Sequence, residues 1–335
     1  MTRTFACLTL LAACLLHQTA AADPLPEKLI VATWNVEWLF DNYTGDNSND
    51  LARQQSAPSR ADWDWKLAGV AEVIAQIKPT ILALQEIENR RVLFYLERKL
   101  KRDYGLDYEI AYIEGEDFFT EQDVGVLALS GLVGSTYRRQ TKEMSASKTY
   151  YNINKHILCD FEWGAGPDKF ELTLLNVHFR ASPDATPIRT RQSKLARHWI
   201  DDAVSSGRNV IILGDVNTNE THETTTPTGD LGTLRGLHTS SIDDDLINLF
   251  EFYKGEPKET HLVHKQFDHI LVTPTLIQEK PRHKRVAFQS IAIRRDLVIR
   301  GKQQDDTHMD IFWKIPEAER DISDHYPVVA EFSIE

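Results

Sequence analysis

Continuous apolar runs, rather than alternating ones, dominate this chain. Residues 29–34, 80–84, 125–129, 157–161, 172–178, 210–213, 269–272 and 326–332 each read as a short strand. A strand buried on both faces loses its polar positions, so runs of this kind suit the inside of a layered sheet. Helical patterns lie between them. In residues 65–77, Leu67, Val70, Val73, Ile74 and Ile77 recur at helical spacing, and Pro79 stops the run. Residues 90–102 and 189–204 repeat the pattern. The alternation predicts an α/β fold. Two polar stretches, 41–62 and 218–245, read as long irregular segments. Each follows a strand end, where a binding role and a solvated excursion are equally reasonable.

The first residues follow a different logic. Arg3 gives a positive start, residues 5–16 form an apolar run, and Ala20-Ala21-Ala22 precedes Asp23. That is the pattern of an export signal cleaved after Ala22, and the run is shorter than the ~20 residues a membrane-spanning helix needs. The expectation is a signal peptide over 1–22, one domain over 23–335, and a periplasmic or secreted protein. Leu11-Ala12-Ala13-Cys14 offers a competing lipid anchor at Cys14, although Leu15 and Leu16 continue the apolar run past it.

Of the 3 cysteines, Cys7 and Cys14 fall in that segment. Cys159 alone remains, so the mature chain forms no internal disulfide and rests on core burial. Cys159 lies in an apolar strand-like run and reads as a small core residue. The net charge of −12 argues against a surface that wraps nucleic acid. It leaves a nuclease open, because only the cleft has to match a phosphate.

The chemistry sits at the strand ends. Thr33-Trp34-Asn35, Leu84-Gln85-Glu86, Asn176-Val177-His178, Gly214-Asp215-Val216-Asn217 and Ser323-Asp324-His325 each close an apolar run, and Phe267-Asp268-His269 opens one. Strand ends converge on one rim of a sheet, where ligands bind. The set holds carboxylates, amides and imidazoles, and no plausible serine or cysteine nucleophile. It fits a hard cation such as Mg²⁺, with Mn²⁺ or Ca²⁺ as alternatives, because such ions take oxygen ligands and few carboxylates. Zinc would want several histidines or cysteines. His261-Leu262-Val263-His264 is the only tight histidine pair and reads as a polar loop.

Each motif taken alone has a bland explanation, such as a structural acid or an Asx turn. All six in this order do not. They resemble the endonuclease/exonuclease/phosphatase family, the DNase I-like fold, from Asn35 to His325. The resemblance implies a four-layer α/β/β/α sandwich, two mixed β-sheets with helices outside and the site at one sheet edge. It implies Glu86 as a metal ligand with Asn35 beside it and Asp324 near the metal. Asp215 would orient or deprotonate the attacking water, and Asn217 would hold that water or the phosphate. His325 would face the scissile phosphate with Asp268 fixing its tautomer. His178 would be a phosphate ligand or general acid. Arg180, two residues beyond His178, and Arg191, in the following helical pattern, are candidates to meet the phosphate. Asp123 opens the Asp-Val-Gly-Val strand and is a further candidate.

Substrate is less determined than chemistry. Inositol-polyphosphate phosphatases of this fold carry Trp-Cys-Asp-Arg where this chain has Phe267-Asp268-His269-Ile270. AP endonucleases carry a tyrosine followed by Pro-Asn where this chain has His178-Phe179-Arg180. Both branches are disfavoured, and a nuclease acting on nucleic acid is the leading expectation. A phosphomonoesterase or lipid phosphodiesterase on the same site is the alternative, and an inactive binding scaffold a weaker one. Residues 282–302 carry Arg282, Lys284, Arg285, Arg294, Arg295, Arg300 and Lys302 against the single acid Asp296. That run reads either as a nucleic-acid contact or as solvent-facing charge on a hairpin.

Overall fold

A computed structural model describes residues 23–136, 140–277, 286–302 and 308–334. The export signal expected over 1–22, the possible anchor at Cys14, and Arg282, Lys284 and Arg285 of the basic run lie outside the described residues. In chain order the first half runs β1 (Lys28–Leu39), α1 (Asp50–Gln55), α2 (Arg60–Ile77), β2 (Ile81–Ile87), α3 (Arg90–Tyr104), β3 (Glu109–Tyr112) and β4 (Asp123–Ala128). The second half runs β5 (Leu132–Thr136), α4 (Lys142–Ala146), β6 (His156–Trp163), β7 (Phe170–His178), α5 (Thr186–Ser205), β8 (Val210–Asp215), α6 (Asp230–Arg235), β9 (Ile247–Asn248) and β10 (Asp268–Val272). β11 (Val286–Ile293), α7 (His308–Ile311) and β12 (Val328–Ile334) follow.

Two 6-stranded sheets result, ordered β11-β12-β1-β2-β4-β3 and β5-β6-β7-β8-β10-β9. Both are mixed: β1 and β2 are parallel in the first, β7 and β8 in the second, and their other pairs are antiparallel. The inner faces meet in a core that includes Val31, Ile81, Phe161, Leu174, Ile270 and Phe332. On the outer side of the first sheet, Trp34, Val70, Ile74, Leu84 and Leu96 join it to α2 and α3. On the outer side of the second, Leu175, Leu195, Ile200 and Ile212 join it to α5. Central strands are covered on both faces, which explains their unbroken apolar runs. This is the four-layer arrangement, and among the described residues no helix is long and apolar enough to cross a membrane.

The helix boundaries follow local chemistry. Ser59 caps α2 by accepting from Asp62 N, and Lys78 ends it in a left-handed conformation before Pro79. Asn89 caps α3 and Gly105 closes it at φ 69°. The two polar stretches are less irregular than expected. Asn49 nucleates α1 inside 41–62, and α6 forms inside 218–245. Short helices of one or two turns carry too little periodicity to be read from sequence. The strands that sequence pattern missed, β3, β5 and β9, are all at or beside sheet edges; β3 and β9 are short and β5 is largely exposed. Cys159 is buried in the inner core, and burial pushes its thiol up to about 12.

Polar groups inside the sandwich set the alignment of the sheets. Asn176 of β7 is fully buried; its amide donates to Leu84 O and Gly125 O of the facing sheet at 3.0 Å each. Its oxygen accepts from Gln85 Nε2 at 2.8 Å. An unpaired buried amide costs about 1–3 kcal/mol, so these bonds penalise any sliding of one sheet on the other. Within the second sheet, β7 and β8 approach closely at Gly214, whose φ is +130° and where an added Cβ would lie 2.0 Å from Val177 O. Gly214→Ala is therefore expected to destabilise the protein by about 3 kcal/mol or more, lowering Tm by roughly 4–5 °C or more. Thermal unfolding followed by circular dichroism checks this, and an unchanged Tm would refute the packing argument.

Candidate active site

The strand-end residues meet at one rim, around a cleft of about 440 Å³. Bulges aim them. β1 breaks register between Asn35 and Leu39, and β2 between Gln85 and Ile87. Glu37, Trp38 and Glu86 hold left-handed φ values of 47°, 49° and 62° there. Non-glycine residues in that region cost about 1–3 kcal/mol each and persist where the surroundings over-determine them. Asn217, at φ 52°, does the same after β8.

Asn35 occupies the centre. Its Nδ2 donates to Glu86 Oε1 at 3.0 Å and to Asp215 Oδ2 at 3.1 Å, and its Oδ1 accepts from Glu37 N at 3.0 Å. Asn35 was expected beside the metal; with its amide donating to both acids, its work here is bridging them. Trp38 N holds the other Glu86 oxygen at 3.0 Å. Burial, reinforced by the charge of Asp324, pushes the Glu86 carboxyl up to about 7.

Asp215 is nearly fully buried and receives Asn217 N on Oδ1 at 2.9 Å. Burial raises its pKa against the opposing pull of His325. His325 Nδ1 lies 2.8 Å from Asp268 Oδ2, and its Nε2 lies 3.7 Å from Asp215 Oδ2. Burial disfavours its charge, but Asp268, Asp215 and Asp324 outweigh that and hold the imidazole pKa well above its ordinary value. His178 is the opposite case. Its Nε2 is 3.4 Å from Asp215 Oδ2, yet burial, then Lys155 and His325, drive its pKa well below the ordinary value. That environment favours the neutral imidazole, and with it N–H donation to a phosphate over proton supply.

Asp324 completes the group. Its backbone N donates to Glu37 Oε2 at 2.9 Å, and Glu37 Oε1 meets His308 Nδ1 at 2.8 Å. Burial works against its charge, but His261, His325 and His308 hold the carboxyl below the usual range. Its Oδ1 is buried and has no hydrogen-bond partner among the described residues.

The remaining expectations divide. Arg180 lines the cleft, as do Glu86, His178, Asp215, Asn217, Asp324 and His325. Asp268 stands behind His325. Arg191 does not reach the cleft: its guanidinium donates to Tyr150 O at 2.6 Å and stacks over Tyr151, tying that loop to α5. Asp123 is a structural acid bonded to Tyr112 Oη and Gly115 N. Of the polar stretches, 41–62 contributes Leu51 to the cleft and 218–245 contributes nothing among the described residues. In the basic run, Arg294 pairs with Asp296 at 2.9 Å, Arg295 lies over Tyr326 and Arg300 lies over Trp65. Those three arginines are engaged within the chain, which favours the hairpin-charge reading.

Four participants were not recognised from sequence. Lys155, just before β6, lines the cleft and bonds Gln122 Oε1 and Asp117 Oδ2 at 3.1 Å each. Glu37 and His308 brace Asp324. His261, read as part of a polar loop, lies at the site with its Nε2 3.3 Å from Asp324 Oδ2, while His264 is exposed.

The sequence profile of the endonuclease/exonuclease/phosphatase family matches residues 32–325. The chain belongs to that family. Members are hydrolases of phosphoester bonds, typically dependent on divalent metal. No curated protein sequence matches the chain. Similar solved structures include the human Nocturnin catalytic domain with bound sulfate, 16% identical, TM-score 0.55, covering 93% of this chain and 96% of that one. TDP2 of D. rerio with a single-strand DNA product is 16% identical, TM-score 0.53, covering 92% and 100%. A Bacteroides thetaiotaomicron mannosyl-6-phosphatase is 16% identical, TM-score 0.54, covering 91% and 99%. At such identities the likeness establishes the DNase I-like fold alone.

The His325–Asp268 pair yields a direct test. Asp268→Asn keeps the shape but removes the charge that favours imidazolium. It is expected to lower kcat by about 10²–10⁴-fold with little change in Tm. A variant with undiminished kcat would show the pair to be structural only.

Proposed function

We propose that this family member is an exported, divalent-metal-dependent phosphodiesterase acting on nucleic acid. The metal reading is carried by the bare, buried Oδ1 of Asp324 next to Glu86. Asp324, held charged by its imidazoles, adds to burial in raising the cost of ionising Glu86, and a cation between the two would relieve it. The donors are oxygens, which suits Mg²⁺, Mn²⁺ or Ca²⁺. Glu86 and Asp324 would hold the ion, and bound there it supplies positive charge against the non-bridging oxygens of the phosphate.

The chain's own groups account for the rest. Asp215, fixed by Asn35 and Asn217 N, accepts the proton of the attacking water, and its raised pKa makes it a stronger base. His325, charged among three acids, stabilises the phosphorane-like charge and offers a proton to the leaving oxygen. Lys155 and Arg180 supply cations where a phosphate chain would lie.

The nucleic-acid part rests on those two cations and on aromatic rings at the cleft mouth. Phe119 and, to a lesser degree, Tyr151 are exposed, and stacking of a base on such rings contributes about 1–3 kcal/mol. The DNA product in the TDP2 structure supports the same direction, while the mannosyl-6-phosphatase supports a phosphomonoester. Export rests on the charge, apolar run and alanines of residues 1–22.

A substrate panel decides between them: plasmid DNA, single-stranded DNA, RNA, mannose 6-phosphate and bis(p-nitrophenyl) phosphate, each with Mg²⁺, Mn²⁺ or Ca²⁺. Nucleic acid is expected to be cut, EDTA to abolish turnover, and Asp215→Ala to cost about 10³-fold or more in kcat. Full turnover in EDTA sinks the metal. Phosphate release from the sugar with nucleic acid intact sinks the nuclease. For export, N-terminal sequencing of protein recovered outside the cytoplasm is expected to begin at Asp23; an uncleaved Met1 start would refute it.

A further inference from the structure

His261, Asp324 and His325 offer ligand atoms that all lie within 4.8 Å of one another. Two imidazoles and a carboxylate at that spacing have the make-up of a transition-metal site. The hydrogen bonds of His261 decide otherwise. Val263 N donates to His261 Nδ1 at 3.0 Å, so Nδ1 presents its lone pair to that bond. In the neutral imidazole the proton is then on Nε2, the atom 3.3 Å from Asp324 Oδ2. A ligating nitrogen must be bare, and this one is not.

We propose that His261 is a positioning residue of the phosphoester site, whose Nε2–H holds Asp324 Oδ2 and whose ring seats His325. The inference rests on the reading of Asp324 as a cation ligand. The backbone gives His261 the rigidity the task needs. His261 pairs with His325 in an isolated antiparallel bridge, Leu262 N donates to Asp324 O at 2.9 Å, and Tyr326 N donates to Thr260 O at 2.8 Å. The segment carrying His261 is thus zipped along both residues it positions. The two imidazole rings meet edge to face, centroids 4.3 Å apart at 88°.

What this achieves is legible at Asp324. Its backbone N is held by Glu37, itself braced by His308, and Oδ2 is held by His261. Oδ1 alone is left without a partner among the described residues. A carboxylate fixed at every other point presents that oxygen in one direction, as outer hydrogen bonds do for metal ligands generally. The pair His261-x-x-His264 therefore serves the site through one member, as a donor.

The test begins on metal-free protein. Nitrogen-15 imidazole NMR is expected to find His261 in the Nε2–H tautomer; an Nδ1–H tautomer overturns the proposal. His261→Phe keeps the ring and loses the donor, and His261→Gln keeps a donor and loses the ring. Mn²⁺ affinity, measured by calorimetry, is expected to weaken about 10-fold in His261→Phe and to recover largely in His261→Gln, with Tm unchanged in both. Unchanged affinity in His261→Phe, or equal losses in the two variants, overturns the proposal while leaving the metal-dependent reading intact. Absence of Mn²⁺ binding in the unmodified protein would instead sink that underlying reading.

Discussion

The Asn35 side chain donates to Glu86 of one sheet and Asp215 of the other, and the geometry of the rim follows from one amide having to reach both. Its two bonds, at 3.0 and 3.1 Å, are short enough that neither sheet can shift at this edge without breaking one. The inner polar contacts around Asn176 hold the same alignment a few residues deeper. Sheet packing and catalytic geometry are therefore one constraint. A family of sandwiches can change most of its apolar residues and keep the site, provided the two sheets stay aligned.

That constraint gathers acids, and the surrounding residues answer it. Glu37, Glu86, Asp215, Asp268 and Asp324 lie within a small, largely dry region. Burying a carboxylate costs several kcal/mol unless it is paired and bonded, so each has dedicated partners: His308 for Glu37, His325 for Asp268, His261 for Asp324. The segment bearing Asp324 is held from behind as well. Trp34 Nε1 donates to His325 O at 3.0 Å, Ser323 Oγ to Asn35 O at 2.8 Å, and the buried Lys66 to Ile322 O at 2.6 Å. Burial lowers the Lys66 pKa to about 8, in spite of Glu37, Asp324 and Glu86 nearby. Positive charge is thus present behind the acids but weakened there. Glu86 is the acid left short of positive charge, which is what leaves room for a cation.

Most of the fold was legible in the sequence because burial on both faces writes itself into a strand as an unbroken apolar run. The rim motifs were legible because polar residues at the ends of such runs have few structural reasons to be there. Other features were not, for identifiable reasons. His261 and Lys155 owe their positions to the course of loops, which periodicity does not encode. The bulges that turn Glu37 and Glu86 toward the site break the two-residue alternation on which strand reading depends. Arg191 was misassigned because its sequence distance from His178 is short, whereas its place on α5 turns it toward the 147–151 loop. Asp123 has the position of a rim acid, but Tyr112 and Gly115 occupy its oxygens.

The same distinction explains why the reaction was easier to read than the substrate. The groups proposed to handle a phosphate sit on or next to strand ends fixed by the core: Glu86 on β2, His178 on β7, Asp215 on β8. The groups that would meet the rest of a substrate do not. Phe119 lies on the connection between β3 and β4, Tyr151 on the one between α4 and β6, and Met309 on α7. Each belongs to a segment whose length and composition the sandwich hardly constrains, since loops carry little of the core. Phosphate chemistry and substrate choice are accordingly encoded in separate parts of this chain. A core-anchored site of this kind can serve a nuclease or a sugar phosphatase with the same catalytic residues, and the aromatic and cationic residues of its loops are where the two would part.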